Sequence, residues 1–378
     1  MDRSTNSADF RTQNNRRMRI YIYGAGMRGR EFLTVIKNCY AGDISVEGFI
    51  DRAAAGLIEG YPVYRLSELQ DKSAGIVIAA GYLHMVKEIH HTLQMAGFHN
   101  VWWFYGQQHR KAYRDLFSEQ CVSCQEWGED TLVHVEMHAM DGCNLNCVGC
   151  THFSPIFGKT VPDTQSRLDD VKRLREKIPH IARFQILGGE PFLNPELCSY
   201  FEIKNIYPHT QLGIVTNGLP LLKAPGAVLE RLRDENIYIM ISKYAPTSKY
   251  MDQIQQILDR YDIIYTIREN REKFNIPLSF EKGEKHCISN GCINIWNGKI
   301  ARCPTLMYIT EFNKYFNTSF PEEGILSLEQ SVSGKELVNF LEKDVPLCSH
   351  CGRHEVDWDV CGENVTIDKF VNMSQRTT

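Results

Sequence analysis

Three cysteines at Cys143, Cys147 and Cys150, in the string CNLNCVGC, put three thiol ligands on one short loop. A cubane iron–sulfur cluster normally takes four cysteines. Three would leave one iron open to a small molecule, as catalytic metal sites keep one position free. The loop follows an apolar segment carrying Leu132, Val133, Val135 and Met137. A zinc knuckle is the competing reading, although zinc sites usually use separated C-x2-C pairs. A second motif, Gly188-Gly189-Glu190-Pro191, follows the apolar run Phe184 to Leu187. It reads as a buried strand ending in a tight glycine turn. Glycine lets the backbone approach a ligand closely, and a neighbouring carboxylate can accept hydrogen bonds from an ammonium group.

These motifs need elements to hold them. Strand candidates at 131–137, 183–187, 211–215, 237–241 and 262–267 alternate with helical runs at 166–178, 196–204, 226–234 and 248–260. That alternation predicts a partial parallel barrel, whose active site sits at the C-terminal strand ends. The cysteine loop, the GGEP turn, Thr216-Asn217-Gly218 and Ser242-Lys243 follow strands one to four in turn.

Together the cysteine loop and the GGEP turn resemble the radical S-adenosylmethionine (radical SAM) enzymes, whose domain is a six-stranded βα barrel open on one side. The resemblance implies that Cys143, Cys147 and Cys150 hold a 4Fe–4S cluster that binds S-adenosylmethionine (SAM). It implies that Gly188, Gly189, Glu190 and Pro191 hold the methionyl amino group and that Thr216 and Asn217 line the ribose. Ser242 and Lys243 would approach the ribose or carboxylate. The implied reaction is reductive cleavage of SAM to a 5′-deoxyadenosyl radical, which takes hydrogen from a substrate carbon. A flavodoxin- or ferredoxin-type protein would donate the electron. The residue before the third cluster cysteine is usually aromatic in this family and is Gly149 here, which leaves open whether Phe153 substitutes for it against the adenine.

After the barrel, INIWNGKIAR reads as a hairpin around Asn297-Gly298. A cysteine, a hairpin glycine, a second cysteine and a later C-x2-C resemble the auxiliary-cluster extensions called SPASM and twitch. Cys287-x15-Cys303-x44-Cys348-x2-Cys351 supplies four thiolates, enough to close one auxiliary 4Fe–4S cluster. Cys292 is the alternative to Cys287, and four thiolates also suit zinc. A fully closed cluster has no open iron and favours oxidation of the substrate radical. A redox-neutral epimerisation would instead need a hydrogen donor such as Cys198, Cys292 or Cys361. Cys121 and Cys124 form a further C-x2-C, either a ligand pair or two incidental thiols. His134, His138 and His152 flank the cysteine loop and are read as packed residues outside the site.

The N-terminal region carries Gly24, Gly26 and Gly29 in GAGMRG between an apolar strand and a helical run, with Asp51 ending the next strand. Backbone N–H groups and the helix dipole favour phosphate there, and Asp51 is placed to read a ribose hydroxyl. A structural turn capped by Asp51 is the alternative. The runs IYGAGMRGREFL, VEGFIDR, GYPVY, GIVIAAG and GFHNV resemble the N-terminal domain of bacterial nucleotide-sugar acetyltransferases, which implies a nucleotide-sugar ligand.

The fold class expected is α/β: a Rossmann-like parallel sheet at 18–116, a linker at 117–130, the partial (β/α)6 barrel at 131–280 and a cysteine-rich α+β auxiliary domain at 281–378. The chain has 378 residues, 43% hydrophobic, with a net charge of −4 and no long run of one sign, which points away from nucleic acid and anionic membranes. The polar N-terminus is expected to be a short disordered arm. Thirteen cysteines without a secretion signal read as metal ligands in a reducing, cytoplasmic setting. A sugar or nucleotide-sugar is the expected substrate. The alternatives are a peptide maturase, in which a winged-helix docking domain is more usual, and a non-catalytic zinc or redox-sensing protein.

Overall fold

Short apolar runs become the central strands. Gly75–Ile78 (GIVI) is buried at every position, as expected of a parallel strand covered on both faces. The computed structural model describes residues 17–80, 83–104, 121–268, 272–283, 287 and 291–373. The expected N-terminal arm lies outside them apart from its last residue, as do 105–120 of the first domain and linker. The chain divides into two units, Met1–Trp127 and Gly128–Thr378.

In the first unit the strands are β1 (Met18–Tyr23), β2 (Ile44–Ile50), β3 (Leu57–Ile58), β4 (Tyr61–Tyr64), β5 (Gly75–Ile78), β6 (Val101–Phe104) and β7 (Cys121–Ser123). Their order is β3-β4-β2-β1-β5-β6-β7. The pairs β1–β2, β1–β5, β2–β4 and β5–β6 are parallel. Helix Met27–Cys39 packs Phe32, Leu33 and Ile36 into the core of this sheet. Part of the expected 117–130 linker is a strand, because β7 pairs antiparallel with β6. Cys121 and Cys124 are both buried, and Cys124 N–H donates to Val101 O.

The second unit has an eight-stranded sheet of order β12-β11-β10-β9-β8-β14-β15-β16. The strands are β8 (Thr131–Met140), β9 (His180–Gly188), β10 (Gln211–Thr216), β11 (Tyr238–Ser242), β12 (Tyr265–Arg268), β14 (Ile293–Trp296), β15 (Lys299–Ala301) and β16 (Leu326–Ser327). Strands β8 to β12 run parallel in sequence order. Along β8 the side chains alternate between two faces. Val135, Met137 and Ala139 belong to one core with Leu168, Val171 and Leu174 of helix Thr164–Lys177. That helix starts where the Asp163 carboxylate accepts the N–H groups of Gln165 and Ser166 at 3.0 and 3.3 Å, an N-cap. His134, Glu136 and His138 take the other face.

The next strand in sequence, β13 (Lys273–Ser279), leaves the sheet and pairs with β17 (Cys351–Asp357) and β18 (Val371–Asn372). Pro277 lies within β13, and the register shifts between Ile276 and Leu278. Proline has no N–H to give to the ladder, and the register shift falls at Pro277. The sixth parallel strand is β14, and it lies against β8 rather than β12.

Candidate functional site

The strand ends meet through the backbone. Gly189 N–H donates to Met140 O at 2.8 Å and Glu190 N–H to Gly142 O at 3.1 Å, so the turn after β9 lies directly on the start of the cysteine loop. This explains the paired glycines. A Cβ at Gly188 would overlap the carbonyl of Met140, and one at Gly189 the carbonyl of Gly142. Gly189→Ala should therefore cost about 2 kcal/mol or more, visible as a lowered melting temperature.

Glu190 is fully buried. Its carboxylate accepts from Thr216 Oγ1 at 2.7 Å, Asn217 N at 2.8 Å and Phe192 N at 3.2 Å. Burial pushes the carboxyl up to about 7 against these bonds. Glu190 is thus a brace between the turns after β9 and β10, with Pro191 opening the helical turn behind it. Asn217 Nδ2 donates to Asn144 Oδ1 at 2.7 Å, next to Cys143, and Thr247 Oγ1 donates to Asn217 O at 2.6 Å. The cysteine loop, the glycine turn and Thr216-Asn217 therefore form one body. Ser242 is buried at the end of β11, and the N–H of half-buried Lys243 donates to Arg268 O.

Cys143, Cys147 and Cys150 are free thiols. Burial raises the pKa of each, and for Cys143, held up at about 11, the Glu190 and Cys150 charges add to it. Leu145 N–H donates to Cys143 Sγ at 3.4 Å, and Trp358 Nε1–H to Cys147 Sγ at 3.2 Å. Buried thiols within reach of one another's charge and fringed by N–H donors suit thiolates neutralised by an iron–sulfur cluster.

Trp358 has no local signal in the sequence. It arrives on a returning C-terminal segment bonded along the loop: Val148 N–H to Asp359 O, Cys361 N–H to Asn146 O and Gly149 N–H to Lys369 O. Tyr244 stacks on it, with centroids 6.0 Å apart. Gly149 has φ +71, and a Cβ there would press on Asn275 O at 2.9 Å. A large residue is excluded, which accounts for the missing aromatic. Phe153 does not replace it, being wholly buried against Phe312 and Phe370.

The model of the family described as the Radical SAM superfamily matches residues 137–278. That span holds all three loop cysteines, the GGEP turn and Thr216-Asn217. Residues 137–278 are a radical SAM domain. Such a domain implies a 4Fe–4S cluster and SAM, and the thiols of the loop fit that pair. No curated protein matches the chain. Among solved structures it is similar to a tagged anSMEcpe with bound AdoMet, at 18% identity over 36% of this chain and 42% of that one, TM-score 0.29. BtrN in complex with AdoMet and 2-DOIA gives 14% over 58% and 85%, TM-score 0.36. SuiB of Streptococcus suis bound to S-adenosylmethionine gives 12% over 49% and 38%, TM-score 0.30. The chain spans less than half the length of the first of these.

Beyond the radical SAM domain, the charges of Cys287, Cys348 and Cys351 all act on Cys303, which burial holds up at about 12. Cys351 is held at about 11 by burial and by Cys287 and Cys348. Cys287, Cys348 and Cys351 therefore lie within electrostatic reach of Cys303. Val345 N–H donates to Cys348 Sγ at 3.4 Å, and Arg302 Nη1 reaches the same sulfur at 3.6 Å. The three candidate hydrogen donors separate. Cys198 packs against the hydrophobic core beside Arg231, Cys361 lies near Cys150, and Cys292 lies beside Glu136. His138 and His152 bond each other at 2.8 Å, and His138 bonds Asp141 at 3.0 Å, inside the fold.

In the first unit, Gly24 has φ +108, a Cβ at Gly29 would overlap Gly24 O, and a Cβ at Gly26 would meet nothing within 4 Å. The loop follows β1, where the strand order reverses between β2 and β5. The structure shows Asp51 bonded to its own loop. Its carboxylate accepts Ala25, Ala53 and Ala54 N–H at 2.8–2.9 Å. Among the described residues no helix is long and apolar enough to cross a membrane.

Proposed function

We propose that the chain is a SAM-dependent radical enzyme that removes hydrogen from a carbon of a sugar or nucleotide-sugar. The observation that carries this reading is the bonding of the cysteine loop, the glycine turn and Thr216-Asn217 into one body through Glu190 and the Asn217–Asn144 pair. When bound, the cluster on Cys143, Cys147 and Cys150 and SAM supply a 5′-deoxyadenosyl radical, given one electron from a flavodoxin- or ferredoxin-type donor. The backbone of Gly188 to Pro191 then offers carbonyls to an ammonium group, and Thr216, Asn217, Ser242 and Lys243 are the polar groups nearest a ribose. Trp358 and Tyr244 keep water from Cys147.

Cys287, Cys303, Cys348 and Cys351 support a twitch-type auxiliary 4Fe–4S cluster, which favours oxidation of an alcohol carbon over epimerisation. The free thiols fit a reducing, cytoplasmic setting.

The substrate class rests on the first unit, where the open space at Gly26 and its place at a strand-order reversal suit a phosphate-bearing ligand. Gly24, Gly26 and Gly29 would hold it by backbone N–H groups, with Asp51 fixing the loop rather than touching the sugar. A panel of nucleotide-sugars tests this by thermal shift. The expected result is a rise equivalent to about 2.7 kcal/mol at a hundredfold excess over Kd, abolished by Gly26→Trp. No shift with any nucleotide would remove the nucleotide-sugar from the reading and turn attention to peptides.

A further inference from the structure

One buried cluster outside the cysteine loops brings together three ligand types. His134 and Glu136 stand two apart on β8 and so share a face. Strand β14 sets Ile293 opposite Val135 and Asn294 opposite Glu136, which brings Cys292 beside His134. A ring nitrogen of His134, a carboxylate oxygen of Glu136 and Cys292 Sγ all lie within 4.8 Å of one another. His134 is 3% exposed and Glu136 7%. His134 Nε2 and Glu136 Oε1 are 3.0 Å apart. A tetrahedral zinc ion with bonds of about 2.0–2.2 Å spaces such donors roughly 3.3 Å apart, so the pair is already near ligand spacing.

Among the described residues two polar atoms here have no partner, His134 Nδ1 and Asn294 Oδ1. Asn294 Nδ2 donates to Glu136 Oε2 at 3.1 Å, which holds its amide against the trio. Buried polar atoms are normally paired. A water bound to a metal would give the Asn294 oxygen a donor, in the way outer groups steady metal ligands.

We infer that His134, Glu136 and Cys292 bind one divalent ion of the zinc type, with a fourth position open to water or a substrate oxygen. A mixed nitrogen, oxygen and sulfur set suits zinc. One thiolate and one carboxylate neutralise a dication, which removes the cost of burying them unpaired. With the auxiliary set proposed above on Cys287, Cys303, Cys348 and Cys351, Cys292 is available. The inference does not depend on the substrate proposed above, and iron and zinc are measured separately.

The test uses the full chain, reconstituted anaerobically with iron and sulfide, given one equivalent of zinc and passed over chelating resin. Retained zinc is counted and its ligand shell read by zinc-edge X-ray absorption. About one zinc per chain is expected, with one sulfur at about 2.3 Å and nitrogen or oxygen at about 2.0–2.2 Å. Glu136→Gln should weaken retention roughly tenfold or more. Cys292→Ser should erase the sulfur shell, with iron and circular dichroism unchanged in both variants. Any of several results overturns the inference: no retained zinc, a shell of three or four sulfurs, equal retention by Glu136→Gln, or iron lost from Cys292→Ser. If Glu136→Gln does not fold, His134→Gln takes its place with the same expected loss.

Discussion

Cys147→Ala should abolish formation of 5′-deoxyadenosine from SAM and lower the iron of anaerobically reconstituted protein from about eight to about four per chain. The loop supplies three thiolates, and the substitution leaves two, too few to hold a cubane while one iron stays open. Cys147 is also the cysteine most enclosed by later structure, bonded by Trp358 and bridged to Val360, so no water or neighbouring side chain takes its place. Cys303→Ala is the counterpart. It should remove the other set of about four irons and leave a single round of SAM cleavage intact. Iron and sulfide analysis with chromatography of the nucleoside products checks both. SAM cleavage by Cys147→Ala within tenfold of the native chain would sink the cluster assignment. Four irons in the native chain would leave Cys287, Cys303, Cys348 and Cys351 as zinc ligands or free thiols.

Glu190→Ala should destabilise the second unit by about 3 kcal/mol or more, since a buried donor left without its acceptor costs about 1–3 kcal/mol. The Thr216 hydroxyl and the Asn217 and Phe192 N–H groups all lose their acceptor together. For a unit of this size that is a fall in melting temperature of roughly 10 °C. SAM binding should weaken tenfold or more, because the turn and Asn217 no longer hold one geometry. Glu190→Gln keeps the shape but turns an NH2 toward at least one N–H donor, so an intermediate loss is expected. Burial holds the Glu190 carboxyl at about 7 against an ordinary 4.5, so the neutral acid favours the folded state. That contribution is full below the ordinary value and is lost as pH rises through the folded one. Between about pH 5 and about pH 8, melting of the native chain should fall more steeply than that of Glu190→Gln. Equal slopes would mean that Glu190 is ionised throughout.

The chemistry was legible where it depends on residues close in the chain. Cysteines at 143, 147 and 150 share a loop whatever the rest of the protein does, and a glycine pair ending an apolar run announces a close backbone approach. The parallel strands from β8 to β12 follow from alternation of apolar runs with helical ones. Tertiary structure decided what arrives from a distance. Trp358 meets a sulfur 211 positions away, and no periodicity marks it. Strand β14 joins the sheet beside β8, where Asn294 bonds Glu136. Asp51 accepts three backbone N–H groups, from Ala25 across the loop as well as from Ala53 and Ala54. His134 and Glu136 share a strand face in any reading, yet only the register of β14 brings Cys292 to them. Local spacing is set by covalent geometry, whereas these partners are chosen by burial and hydrogen bonding once distant segments pack together.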